Sequence, residues 1–229
     1  MVDSLRTDSV LGARSQPFAV TYPPLRRPAW RVALSGSLKR LFDLACASSI
    51  LVFLLPAFCL IALAVALDSP GPILFRQRRT GLHGKVFTIY KFRTMRVLED
   101  GREVRHATRG DQRVTRTGAF LRETSLDELP QLLNVLKGDM AMVGPRPHAL
   151  AHDQHYGALL SAYGARFAVR PGLTGLAQIR GLRGEIHQLS CMADRVQADV
   201  EYAANWSFRH DLLIVLKTIP LLLKRVNAY

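Results

Sequence analysis

The 229-residue chain contains three cysteines, Cys46, Cys59 and Cys191, and no Cys-x-x-Cys pair. That usage excludes a disulfide framework, argues against a structural zinc site and fits a reducing compartment. No GxxxxGK[ST] stretch is present, so a P-loop is excluded, and the absence of HExxH and GxSxG removes two large hydrolase classes. There is no internal repeat. Acidic residues are scarce, 18 against 31 Lys and Arg, for a net charge of +13. The basic residues are spread over loops without interleaved aromatics, which argues against nucleic acid as a partner. His148, His152 and His155 lie close together, but their spacing near a loop reads more simply as polar surface than as a metal cluster.

Charge is missing altogether between Leu44 and Leu67. A bilayer span needs about 20 apolar residues, so this run is long enough. Basic residues stand on both sides: Lys39 and Arg40 before it, Arg76, Arg78, Arg79, Lys85 and Lys91 after it. The positive-inside rule sends both flanks to the cytoplasm. A single straight span leaves one flank outside; a helix broken in the middle satisfies both. Pro56 lies near the midpoint, where it removes a backbone hydrogen bond and forces a bend. A cleaved signal peptide has a shorter leader and a shorter apolar run. Asp43, at the start of the run, is expected near the interface or at the helix N-terminus.

With 48% hydrophobic residues beside that positive charge, the chain suits a protein that enters a bilayer and meets anionic headgroups or phosphates. Three segments follow: a mobile basic, proline-rich arm over 1–35, a re-entrant membrane helix over 36–68, and a catalytic domain over 69–229. In the last, 73–75 and 85–92 read as a β-hairpin, and 99–117 as an exposed excursion. Leu126, Leu129, Leu132, Leu133 and Leu136 mark an amphipathic helix. A polar helix is expected over 192–205, and an interfacial helix over 206–225 led by Trp206. The fold class is α+β: small, mostly helical, with one short hairpin and amphipathic helices at the interface.

Chemistry concentrates at Thr124-Ser125-Leu126-Asp127-Glu128-Leu129-Pro130. Ser125 and Glu128 have capping-box spacing, so helix capping alone would explain the acids. Free N–H groups at a helix start also attract phosphate, and a carboxylate kept ionised there could act as nucleophile or metal ligand. Arg122 lies just upstream. Arg146 and Arg170 each sit in a proline-stiffened loop, Gly144-Pro145-Arg146-Pro147 and Arg170-Pro171-Gly172. The guanidinium fork matches phosphate oxygens, so three arginines and two acids make a diphosphate site.

These residues resemble the bacterial sugar transferases, the monotopic polyprenyl-phosphate phosphoglycosyl transferases. The resemblance runs from about Leu38 to the C-terminus. It rests on Lys39-Arg40 with Phe42-Asp43, Lys91-Phe92-Arg93-Thr94-Met95, the segment 124–132, Val143-Gly144-Pro145-Arg146-Pro147, Arg170-Pro171-Gly172-Leu173-Thr174-Gly175, and Asn205-Trp206-Ser207 with Asp211. Several motifs in one order are far more specific than any alone.

It implies a re-entrant helix, a catalytic unit at the cytoplasmic face of the bacterial inner membrane, and transfer of a sugar-1-phosphate from a UDP-sugar to undecaprenyl phosphate. It further implies that Asp127 is the nucleophile that expels UMP, and that Glu128 binds Mg²⁺. Arg122, Arg146 and Arg170 would hold phosphates, with Lys91 and Arg93 beside them. Anionic membrane lipids and a homo-oligomeric partner are compatible with it, and exopolysaccharide or glycoconjugate assembly would be the pathway. Leu55 replaces the serine usual before Pro56, Leu176 a common Trp, and His187 a frequent acid; with no bundle of spanning helices before residue 36, a minimal member is expected. The competing readings are a membrane glycosyltransferase that releases UDP without a covalent intermediate, and a non-catalytic basic tethering protein.

Overall fold

A computed structural model describes residues 29–96, 111–184 and 186–223. The expected arm up to residue 28 and most of the expected excursion lie outside them. Helix α1 (Ala29–Phe53) takes in the remainder of the arm segment, and α2 (Leu55–Asp68) follows after Leu54. The two helices meet at a 65° bend. Pro56 falls in the first turn of α2, where a missing N–H costs nothing, and so the break comes at the preceding residues rather than at the proline itself. No single helix among the described residues is long and apolar enough to cross a membrane; this bent pair passes that test of length and composition.

Both helices are fastened to one body. Arg40 donates to the carbonyls of Val135 and Leu136 at 2.6 and 2.8 Å. Asp43 is buried and accepts the Met142 N–H at 2.9 Å, so it is a docking group rather than an interfacial one. Lys39 reaches the buried Asp211 at 2.7 Å. At the far end of α2, Arg93 donates to the carbonyls of Val65, Ser69 and Pro70. Phe58 of α2 packs on Phe92, with ring centroids 4.7 Å apart.

Strands β1 (Leu74–Thr80) and β2 (Val86–Phe92) form an antiparallel hairpin in the register Leu74 to Phe92 through Thr80 to Val86. The first strand runs five residues past the β-rich 73–75, because the exposed arginines that follow alternate with half-buried and buried positions. The outer edge of β2 is covered by a side chain: Asn134 accepts from the Tyr90 N–H at 3.0 Å and donates to the Thr88 carbonyl at 2.7 Å. That pair seats α4 (Gln131–Lys137) against the hairpin.

Before α4 comes α3 (Arg116–Thr124), part of which the sequence assigned to the excursion. Thr115 caps it, accepting the Gly118 N–H at 3.0 Å. After α4, β3 (Ala141–Val143) and β4 (Gly172–Thr174) pair in parallel, with α5 (Leu150–Leu159) and a 3₁₀ segment, Tyr163–Ala168, between them. The short α6 (Leu176–Ile179), then α7 (Leu189–Ala204) and α8 (Phe208–Leu223), complete an α+β fold.

The main core joins Ala47 of α1 to Ile89, Leu132, Val135, Met142, Tyr202 and Ile214. Trp206 packs against that core and its indole donates to Asp211 at 3.0 Å, so it is a tie within the protein rather than an interfacial anchor. Helix α8 buries Ile214 but leaves Leu212, Leu213, Leu216, Ile219 and Leu222 exposed; packing against the core does not account for that face.

Candidate active site

Helix α3 ends at Ser125, which adopts the left-handed conformation (φ 59°, ψ 16°). The chain then makes one 3₁₀ turn, Leu126–Glu128, before Pro130 opens α4. The capping box does not form: Ser125 ends α3 and opens the turn, but its side chain makes no cap bond there. Its backbone carbonyl still accepts the Glu128 N–H at 3.2 Å, which closes the turn. Asp127 and Glu128 are thereby pulled inward and are only 7% and 9% exposed.

Cations arrive from separate elements. Lys91, near the end of β2, sits 2.8 Å from Glu128 Oε1 and 3.8 Å from Asp127 Oδ2. Arg146, from the loop after β3, forks onto Glu128: one nitrogen donates to Oε2 at 2.9 Å and the other to Oε1. Arg122 occupies the last turn of α3 and acts on Asp127 through its charge. Arg183, from the loop after α6, donates to Ser125 Oγ at 2.7 Å and lies close enough to both acids to interact with their charge.

The Arg146 loop is held from behind. Arg166 is buried and donates to the Arg146 carbonyl at 2.6 Å, while its other nitrogens meet Asp199 and Tyr163. Tyr163 in turn donates to Asp153 at 2.7 Å. His148 accepts from Arg166 at Nδ1, and burial together with that guanidinium holds its pKa well below the ordinary imidazole value. His148 is thus a neutral structural acceptor, and among the described residues no three His, Cys, Asp or Glu side chains are grouped to hold a metal. On the other side of the loop, Arg79 donates to the Pro147 carbonyl at 3.2 Å. Gly144 presses on the backbone of Arg170 and Gly172, where a Cβ would collide.

The environment splits the two carboxyls. Burial raises the Asp127 pKa above the ordinary aspartate value, opposed by Lys91. Burial would also raise Glu128, but Arg146 and Lys91 outweigh it and hold Glu128 well below the usual range. Lys91 itself is lowered by burial, with Glu128 and Asp127 pulling the other way.

Asp127, Glu128, Lys91, Arg122 and Arg146 are brought together as expected. Two other expected phosphate ligands make hydrogen bonds to backbone carbonyls. Arg93 is buried and spends both terminal nitrogens on the carbonyls at the end of α2. Arg170 is exposed and donates to the Gly138 carbonyl at 3.1 Å, capping α4. Arg183 takes a place in the site that sequence reasoning missed. A signal existed: like Arg146, it stands in a loop with special backbone demands, here between Gly181 (φ 77°) and Gly184 (φ 110°).

For a divalent cation, the protein side would be the Asp127–Glu128 pair. Mg²⁺ commonly takes one or two carboxylates and fills its other positions from phosphate and water, so the donor set fits.

A sequence model described as "Bacterial sugar transferase" matches residues 34–225. The UDP-glucose:undecaprenyl-phosphate glucose-1-phosphate transferase of Caulobacter vibrioides is 55% identical over 191 residues, covering 83% of this chain and 72% of that protein. The Escherichia coli protein of the same name is 50% identical over 195 residues, covering 84% of this chain but only 42% of its own length. The exopolysaccharide production protein PSS of Rhizobium leguminosarum is 46% identical over 196 residues and is covered over 98% of its length.

Proposed function

The chain belongs to the bacterial sugar transferase family, and from that premise we propose that it transfers a hexose-1-phosphate from a UDP-hexose to undecaprenyl phosphate. UDP-glucose is the first donor to test, because the names of the Caulobacter and E. coli relatives specify it. The observation that carries the reading is the buried Asp127–Glu128 turn on which Lys91 and Arg146 converge. Phosphoryl transfer asks a protein mainly for positioning and charge neutralisation, and this cluster supplies both.

In the first half-reaction an Asp127 carboxylate oxygen attacks the β-phosphorus of the donor. The bond from that phosphorus to the oxygen bridging it to the α-phosphorus breaks, and UMP leaves with the electron pair. In the second half-reaction a phosphate oxygen of undecaprenyl phosphate attacks the same phosphorus and releases Asp127. Splitting the exchange lets one site serve two large substrates in turn. Lys91 and Arg146 hold Glu128 in place and lend positive charge to the phosphoryl oxygens. The Asp127–Glu128 pair would hold Mg²⁺, which when bound neutralises charge on the diphosphate. The bent helix pair, re-entrant from the cytoplasmic side of the bacterial inner membrane, keeps the site within reach of a phosphate borne on a lipid.

Full-length protein given UDP-glucose and undecaprenyl phosphate should release UMP, stop with EDTA and resume with Mg²⁺. Asp127→Asn should lower release by about 10³-fold or more while leaving the melting temperature unchanged. Rapid quenching of the wild type should trap a sugar-phosphate ester on Asp127. UDP as the product, or product formation with no adduct, would refute the covalent route.

A further inference from the structure

Four cations bear on two carboxylates in this site: Lys91, Arg122, Arg146 and Arg183 against Asp127 and Glu128. Lys91 and Arg146 are directed at Glu128 by hydrogen bonds. Arg183 is directed elsewhere. Its Nη2 is pinned to Ser125 Oγ, the residue whose left-handed backbone launches the catalytic turn. A non-glycine residue in that conformation is strained and persists only where its surroundings hold it. The Arg183 tether and the Glu128 N–H bond to the Ser125 carbonyl are two such restraints.

Arg183 is half-buried, and burial together with the like charge of Arg146 outweighs the attraction of the two acids. With four cations against two carboxylates, the cluster holds positive charge that its own acids do not match, as a site for a dianion should.

We infer that Arg183 is a substrate residue of this site: its guanidinium, steadied at one nitrogen by Ser125, binds the donor's diphosphate beside Asp127. The inference rests on the proposed transfer reaction for its donor but makes its own claim, that the anion contacts a loop contributed by the α6–α7 connection. Ser125 is then a positioning residue, acting through Arg183 and through the turn it opens.

The test uses the full chain and two probes. Inorganic pyrophosphate binding, followed by calorimetry, reads the anion site without any transfer. Initial rates of UMP release against UDP-glucose concentration read the same residue during turnover. Arg183→Gln should weaken pyrophosphate binding and raise the donor KM by about tenfold or more. Arg183→Lys should recover part of both losses, since charge survives but the fork does not. Ser125→Ala should lower kcat more than it raises KM, because it loosens the turn while leaving the guanidinium.

Unchanged pyrophosphate affinity and donor KM in Arg183→Gln with a wild-type melting temperature would overturn the inference. If Arg183→Gln does not fold, Arg183→Lys decides by the same two readouts. Wild type that binds pyrophosphate through Arg183 yet never releases UMP would sink the transfer reaction and leave this assignment standing.

Discussion

Asp127 and Glu128 are sequence neighbours in one turn, yet their surroundings push the two carboxyls in opposite directions. Glu128 receives the fork of Arg146 and the ammonium of Lys91, and so stays charged throughout the working range. Asp127 has Lys91 at 3.8 Å and is otherwise dominated by burial. In the proposed covalent route its attacking form is the anion, which is lost as pH falls through a pKa raised above the ordinary value of about 3.9. The acid limb of kcat should therefore lie above that value. Replacing Lys91 by Met removes the largest influence that lowers the Asp127 pKa, so the limb should move to higher pH; a limb unmoved in a folded Lys91→Met variant would place the titration elsewhere. At this scale the sequence was legible where a residue type and a stiff loop coincide, as at Arg146. It was illegible where tertiary contacts decide. Nothing local distinguishes Arg93, spent on helix carbonyls, from Lys91 two residues earlier. The Arg166–Asp199–Tyr163–Asp153 cluster that supports the Arg146 loop joins residues separated by up to 46 positions, and no spacing rule links them.

The elements that deliver these side chains are short, and their relative placement depends on close backbone contact. Helix α3 rests on the segment after β2 through Gly118: a Cβ there would collide with the Thr94 backbone carbonyl. The same carbonyl accepts the Thr115 N–H at 3.0 Å, and Thr115 caps the helix. This contact sets the distance between β2, which carries Lys91, and the turn that carries Asp127. Gly118→Ala should cost about 1–3 kcal/mol, a drop of several degrees in melting temperature, with a loss of turnover that Asp127 titration does not explain. An unchanged melting temperature would show that α3 shifts freely. Hairpin, helix break and the two C-terminal helices were legible from periodicity and turn residues. Helix α3 was not, because residues 116–124 are charged and carry a glycine; tertiary contact with Thr94 and the Thr115 cap override a weak local signal. The leucine-spaced helix was also overextended: Pro130 divides it into a 3₁₀ turn and α4.

At the scale of the whole molecule, the membrane placement turns on where the bent pair is anchored. Arg40, Asp43 and Lys39 fix the middle of α1 to α4, β3 and α8, while Arg93 and Phe92 grip the end of α2. The pair is thus held on both sides of its bend by the same small domain, which in the proposed placement lies on one side of the bilayer. With ~1.5 Å rise per residue and a 65° bend, a symmetric V built from Gly36–Phe53 and α2 reaches ~11–15 Å deep, about one leaflet of a ~30 Å core. The outward apolar residues agree in kind: Val52, Phe53, Leu60, Leu63 and Leu67 on the pair, and Leu213 and Leu216 on α8, are exposed in the protein alone. Labelling can decide the placement. In a chain with Cys46, Cys59 and Cys191 replaced by Ala, Ser37→Cys probes the part of α1 before the apolar run and Lys85→Cys the hairpin after α2. Both positions are exposed. A membrane-impermeant maleimide should modify both in inside-out vesicles and neither in right-side-out ones. Modification of one from each side would mean that the pair crosses the bilayer, and the anchoring of both its helices to a single domain would then have to be broken in the membrane.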